Sequence, residues 1–405
     1  MARKMKDSGI KWIGEMPEDW KILSLKYLCN MQAGKNLNSE QISIDGEFPV
    51  YGGNGLRGYY HTFNCEGLKI LVGRQGALCG NVHKVDGKYW ATEHAIITEH
   101  TDLCDANFLS YLLIGMNLNQ YVTSTAAQPG LAVSTIQNIK TCIPKTDEQI
   151  RIASFLDNKC ARIDSILNKT RTSIEEYKKL KQSIITQAVT KGIRPNRKMK
   201  DSGIEWIGEI PEEWTVKKIK WLLHERNERS CNGAEEPLSM SQKYGIIPTR
   251  RLDNIPNIAS SFVGAKICYK GDLVFNKLKA HLGVFSLSDH YGLVSPDYAV
   301  YYSSKNIHLK YLEYLFRTPI YITEFKKRAT GVGIGLTRLY TSELYSIHCL
   351  LPSNEEQQEI VAYINEKNSR IDNLISKKEQ LLTELENYKK SLIFEYVTGK
   401  KAVLQ

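Results

Sequence analysis

No Cys-x-x-Cys pair occurs in this chain, and its nine cysteines (29, 65, 79, 104, 142, 160, 231, 268, 349) are odd in number and widely separated. That pattern argues against a zinc site and against a disulfide framework, and leaves reduced thiols as the expectation. No apolar run approaches the roughly 18 residues that a spanning helix needs, so no membrane is expected as a partner. The opening MARKMKDSG carries positive charge without an apolar stretch behind it, so it does not read as a signal peptide, and a cytoplasmic protein is expected. Gly-x4-Gly-Lys-Ser/Thr, the phosphate-cradling loop, is missing, as is the Asn-Pro-Pro-aromatic run of amino-methyltransferases. GVGIGL (331–336) mimics a dinucleotide glycine loop but has Leu336 where the last glycine of Gly-x-Gly-x-x-Gly belongs and lacks the βαβ unit, and reads as a loop. Glu93 and His94 adjoin in WATEHAII, where a structural or contact role outweighs a catalytic one. The expectation is a chain with no catalytic residues, no metal site and no cofactor of its own.

A chain of 405 residues is a prior for two or three domains. Its net charge of +10 is spread along the length and favours a polyanionic partner. Twenty-two tyrosines against ten phenylalanines suit half-wet surfaces. The most informative feature is a repeat. KMKDSGIKWIGEMPEDW from Lys4 returns as KMKDSGIEWIGEIPEEW from Lys198, identical at fourteen of seventeen positions.

Each half also ends alike. A proline and an acidic turn introduce a long segment from Pro144 and another from Pro352, matched at Glu148/Glu356, Gln149/Gln357, Arg162/Arg370, Asp164/Asp372 and Thr190/Thr398. Neither segment has Pro or Gly inside. Thr146 or Ser353 stands as N-cap before acids that suit the helix dipole, and Gly with nearby Lys closes each. Apolar residues at Leu156, Ile163, Ile166/Leu167, Ile174, Tyr177 and Ile184 form a heptad seam. Ile364, Ile371, Leu374/Ile375, Leu381/Leu382, Leu385, Tyr388 and Leu392 form another. Thr170 and Lys378 hold the same polar seam position. From Ile152 to Val189 each rod is about 57 Å long at 1.5 Å per residue. Two matching seams in one chain predict an antiparallel pair. Between these ends the halves diverge, with faint likeness between ILVGRQGALCGNVH (70–83) and DLVFNKLKAHLGVF (from Asp272), and between LAVSTIQNIKTCIP and LYTSELYSIHCLLP. Short β-branched runs broken by Gly, Asn and Pro predict mixed α/β modules, and YGGNGLRGYY (51–60) a hairpin or loop.

The doubled DSGIxWIGExPExW, the P-x3-EQ-x2-I start of each long helix, FPVYGGNGLRGYY and ILVGRQGALCGN together resemble the specificity subunits of type I restriction–modification systems, over essentially the whole chain. The resemblance implies a mixed α/β (α+β) fold: two globular target recognition domains joined by two long antiparallel helices in a coiled coil, with a pseudo-twofold internal repeat. On this reading residues 1–143 are the first recognition domain and 144–192 the first helix. Residues 193–351 form the second domain, beginning with a short basic linker, and 352–405 hold the second helix. The resemblance further implies a split double-stranded DNA target and no catalysis by this chain. Two methyltransferase subunits would supply S-adenosylmethionine chemistry, and restriction/translocase subunits ATP- and Mg-dependent cutting. A freestanding DNA methyltransferase or nuclease with divergent motifs, and a coiled-coil scaffold binding only protein, are the alternatives.

The family's base-reading residues follow no shared motif, so contact candidates come from chemistry: Arg or Lys for phosphate and guanine, Asn or Gln for adenine. In the first domain they are Asn54 and Arg57 in the glycine loop, Arg74 and Gln75, and Gln128. In the second they are Arg250, Arg251, Asn276, Lys277, Lys279 and His281, with Arg328 and Arg338 flanking the second glycine loop. Glycines among them are expected to let backbone approach DNA closely. The linker KGIRPNRKMK (191–200) reads as a solvated connector, with a phosphate contact as alternative. Trp12, Trp20, Trp206 and Trp214 are either docking points for two copies of one partner or pins holding each domain to the helices. Two modules reading one duplex face would sit roughly one turn, about 34 Å, apart.

Overall fold

Both long segments fold as single uninterrupted helices. The computed structural model describes residues 3–76, 78–122, 130–241, 244–252, 261–303, 306–331 and 337–403. Among them stand seven α-helices: α1 (Ala106–Gly115), α2 (Val133–Gln137), α3 (Thr146–Lys191), α4 (Leu309–Phe316), α5 (Pro319–Arg328), α6 (Thr341–Ser346) and α7 (Asn354–Val397). At 46 residues α3 is about 69 Å long. Acidic pairs Asp147–Glu148 and Glu355–Glu356 occupy the first turns, where the helix dipole favours negative charge. Ser353 caps α7, its Oγ accepting from the Glu356 N–H at 3.2 Å. At α3 the Lys145 carbonyl already accepts from Glu148 and Gln149, so Thr146 is the first helical residue rather than the cap. No helix among the described residues is long and apolar enough to cross a membrane.

The chain divides into two units, residues 1–172 with 378–405, and residues 173–377. The division falls within α3 and α7 rather than at their ends, because each globular part seals its core with a portion of both helices. In the first unit one four-stranded antiparallel sheet runs in the order Cys29–Ala33, Ala95–His100, Lys69–Gly73, Val82–Val85. Its inner strands read AII and ILV, the near-continuous apolar runs that suit a strand covered on both faces. A second sheet orders Gly55–Tyr60, Phe48–Gly52, Lys88–Ala91 and Cys65–Glu66. The expected hairpin at 51–60 is present, with a bulge at Val50/Tyr51. Trp20, Leu25, Phe108 and Leu112 share one core with Ile152, Leu156 and Ile163 of α3 and Leu392 and Val397 of α7. Each such side chain contributes roughly 1.5–3 kcal/mol by burial.

The second unit repeats the first sheet in the same order: Leu223–Glu225, Tyr298–Ser303, Leu273–Asn276, Phe285–Leu287. The faint likeness between 70–83 and the stretch from Asp272 is therefore a shared strand–connection–strand. Likewise α2 with Lys140–Ile143 matches α6 with His348–Leu351, each strand pairing with the one that follows the tryptophan opening. Trp214, Phe275, Phe285, Phe316 and Tyr321 pack with Val189 of α3 and Ile360 and Ile364 of α7.

Within each unit the helix portions pair antiparallel. In the first, Lys389 reaches Asp164 and Arg171 reaches Glu386, both at 2.7 Å. In the second, Lys181 reaches Asp372 at 2.7 Å. From Leu156 onward the buried positions of α3 in the first unit are Leu156, Cys160, Ile163, Leu167 and Thr170, alternating by four and three as a heptad seam requires. Leu167 rather than Ile166 faces in, and Leu374, Leu381 and Tyr388 are exposed on α7, so Ile375 and Leu382 take the seam and Lys389 replaces Tyr388.

Candidate nucleic-acid interface

The repeated openings make two copies of one clamp. Trp20 and Trp214 are buried, and each indole N–H donates to a carboxylate of the helix start, Glu148 Oε2 at 3.2 Å and Glu356 Oε2 at 2.9 Å. Arg3 pairs with Glu148 at 2.7 Å while lying 5.2 Å from the Trp20 ring centroid; Arg197 pairs with Glu356 beside Trp214 in the same way. The glutamine of each Glu-Gln pair grips the next element. Gln149 Oε1 accepts from the Asp105 N–H that precedes α1, and Gln357 Oε1 from the His308 N–H that precedes α4, both at 2.8 Å. Arg197 lies in the linker 191–200, which reads in the sequence as a solvated connector. Its side chain is 7% exposed, because a tryptophan face and a carboxylate claim it. Trp20 and Trp214 present no surface on which a partner could dock, and act as pins. Trp12 and Trp206 are partly exposed, the first donating to the Lys140 carbonyl at 3.1 Å and the second edge-on to Tyr321 at 5.1 Å.

In the first unit, the hairpin tip at 53–54, the exit of strand Lys69–Gly73 and the turn at 92–94 converge. A Cβ on Gly73 would lie 2.4 Å from the Gly53 carbonyl oxygen, and one on Gly53 would lie 2.8 Å from that of His94. These glycines let three turns of the chain meet one another, which is a different use from close approach to a ligand. Arg74 sits at the junction, its N–H donating to the His94 carbonyl and its own carbonyl accepting from the Leu131 N–H, both at 2.9 Å. Gln75 Oε1 lies 3.0 Å from His94 Nδ1, and His94 Nε2 lies 3.0 Å from Glu93 Oε1. Glu93 and His94 thus orient Gln75. Asn54 and Arg57 are exposed on the same hairpin, the Arg57 stem lying over Gly52. Gln128 lies outside the described residues.

In the second unit, Asn276, Lys277, Lys279 and His281 occupy the equivalent connection, and Arg338 joins them. Asn276 Oδ1 accepts from the Leu278 N–H at 3.1 Å, which makes it a turn former. Lys277 donates its N–H to the Asp297 carbonyl at 3.1 Å and accepts from the Leu339 N–H at 3.0 Å. Arg338 pairs with Asp297, and buried Lys266 with Glu225 at 2.7 Å. The Glu225 carboxyl is opposed by burial, yet hydrogen bonds from Lys266 and Thr341 hold it below the usual range. Thr337 Oγ1 approaches His281 at 3.4 Å. Lys279 and Arg251 are exposed; Arg250 is exposed and pairs with Glu236 at 2.8 Å. Arg328 stands apart from this group, tying Glu324 of α5 to Ser346 of α6 at 2.9 and 2.8 Å. Within the glycine loop 331–336, only Gly331 is among the described residues. Lys266, Glu225 and Asp297 carried no motif, and only the sheet brings them to this place.

The profile described as the type I restriction modification DNA specificity domain matches residues 17–176. The chain is 38% identical over 164 residues to the EcoprrI type I restriction enzyme specificity subunit of Escherichia coli, a match covering 40% of this chain and only 39% of that protein. To the EcoDI specificity subunit of Escherichia coli it is 22% identical over 379 residues, 87% of this chain and 82% of that one. A chain from a structure titled for complex assembly and conformational transition of the type I R-M system shares the fold, with a TM-score of 0.68, 13% identity, and coverage of 95% and 99%. Doubled clamps, paired helices and a twice-used sheet order agree with these likenesses, and residues 17–176 match the type I restriction modification DNA specificity domain.

Proposed function

We propose that this chain reads a two-part, asymmetric sequence in double-stranded DNA, one part per unit, and brings catalytic subunits to it. Two methyltransferase subunits would use S-adenosylmethionine there, and restriction subunits ATP and Mg, in the cytoplasm. The chain itself contributes recognition and no catalysis. One observation carries the reading: both units use the same clamp and the same sheet order, while their equivalent connections carry different polar side chains, Arg74 with Gln75 in one and Lys277 with Lys279 in the other. A repeated framework suits a partner that docks twice, and unlike loops suit a target with unlike halves.

Replacing residues 21–143 with another recognition domain, followed by methylation-site mapping in cells that also hold the methyltransferase subunit, tests this. One half of the mapped target should change and the gap should stay. A change in both halves defeats modular reading. Methyl transfer by the chain alone would point to a freestanding enzyme, and a complex without sequence preference to a scaffold.

A further inference from the structure

One backbone junction recurs in the two units, and each time a cation stands on it. In the first, the residue leaving strand Lys69–Gly73 is Arg74; in the second, the residue leaving Leu273–Asn276 is Lys277. Each donates its N–H to the residue just ahead of the neighbouring inner strand, His94 before Ala95–His100 and Asp297 before Tyr298–Ser303. Each accepts at its carbonyl from a leucine that leads into a short helix, Leu131 before α2 and Leu339 before α6. These hydrogen bonds fix the backbone of both residues alike, so the two side chains leave the sheet from the same place.

Neither cation finds an acceptor among the described residues of its unit. Around Lys277 the charges can be counted. Among the described residues Lys266 is paired with Glu225 and Arg338 with Asp297, and Lys277 has no ion pair or side-chain hydrogen bond of its own. The Arg338 Nε–H is also buried without an acceptor. Burial first, then the charges of Lys266 and Arg338, push the Lys277 amine below its ordinary range against Glu225 and Asp297. A half-buried cation without an acceptor among the described residues is suited to an anion from outside.

We infer that Arg74 and Lys277 form a duplicated oxyanion seat, with which each unit holds a DNA phosphate irrespective of sequence. This rests on the DNA-reading role proposed above. Recess decides between phosphate and base. Base edges lie at the floor of a major groove roughly 8.5 Å deep and are reached by protruding side chains. Phosphates project from the duplex and can enter a recess. The exposed Asn54, Arg57, Arg251 and Lys279 are free to protrude, whereas Arg74 and Lys277 are only partly exposed.

The test measures binding of the full chain, assembled with its methyltransferase subunits, to target and scrambled duplexes across a salt series. R74Q and K277Q should each weaken both duplexes alike and lower the slope of log K against log salt by about 0.9, and the double variant by about twice that. R74K and K277R, which keep the charge, should retain the slope and separate loss of charge from misfolding. Unchanged slopes with target preference intact would remove the seat alone. A loss confined to one half of the target would make these residues base readers and also overturn it. A wild-type complex with no preference for any sequence, whose slope still falls in the variants, keeps the seat and removes sequence reading. A complex that binds no duplex overturns both.

Discussion

In the second unit the side chains of Arg197 and Glu356 are 7% and 5% exposed, whereas their counterparts Arg3 and Glu148 in the first are 23% and 21% exposed. The residues, the tryptophan and the contacts are the same. What differs is the lid. Gly192, after α3, lies over Arg197 and Glu356 themselves, so that a Cβ there would meet Arg197 at 2.5 Å and Glu356 at 3.2 Å. Gly399, after α7, lies instead over Pro17 and Trp20 and leaves the ion pair more open to water. Repeated residues set the geometry of a contact, while the neighbours that exclude water set its energy.

The sharpest way to break this comparison is to remove the carboxylate from each clamp. Glu356→Ala takes from Arg197 its buried partner, leaving the exposed Glu213 at 3.0 Å, and should cost about 3–5 kcal/mol in the denaturation of the full chain. Glu148→Ala, in the wetter copy, should cost about 1–3 kcal/mol, the value of charged hydrogen bonds lost near solvent. Equal losses, read from the urea midpoints, would mean that the lid has no energetic consequence.

A smaller difference is expected one residue along. Gln149 and Gln357 are both 1% exposed. Gln149 also donates to the carbonyls of Pro144 and Leu103 at 3.0 and 3.1 Å, while Gln357 donates to that of Pro352 at 3.1 Å. Alanine at either position should cost about 1–3 kcal/mol, with Gln149 the larger because it leaves three groups unanswered. Amide exchange at Asp105 and His308 checks that the helix starts are what loosens; protection unchanged at both would exclude this role for the glutamines.

The smallest effects belong to the helix surfaces. Asp164 and Asp372 are 49% and 55% exposed, so Lys389→Ala and Lys181→Ala should each lower stability by about 0–1 kcal/mol, and less at high salt. Here the two units should agree. A loss of several kcal/mol at either pair would show that the seam depends on charge rather than on its buried apolar residues.

Legibility followed the range of the signal. The helices announced themselves through period, acidic first turns and closing glycines, all within one segment. The seam was legible to within one residue, since Ile166 and Leu167 fit the pattern equally until packing chose Leu167. Trp20 and Trp214 were visible as repeats, but their direction was not, because the carboxylate each indole meets lies 128 or 142 residues away. Arg328 and Arg338 flank the same glycine loop in sequence. The structure parts them, giving the first to a helix contact with Glu324 and the second to Asp297 beside Lys277.

By itself the sequence determined that there are two halves, that each begins with the same segment and ends in a long helix, and that their middles differ. Those properties are written in local pattern and repetition. Only the tertiary structure decided that Arg74 and Lys277 stand on equivalent junctions, that Arg197 is buried, and that one clamp is drier than its copy. Each of these depends on backbone hydrogen bonds and excluded water among segments far apart in the chain, and distance along the chain leaves no period to read.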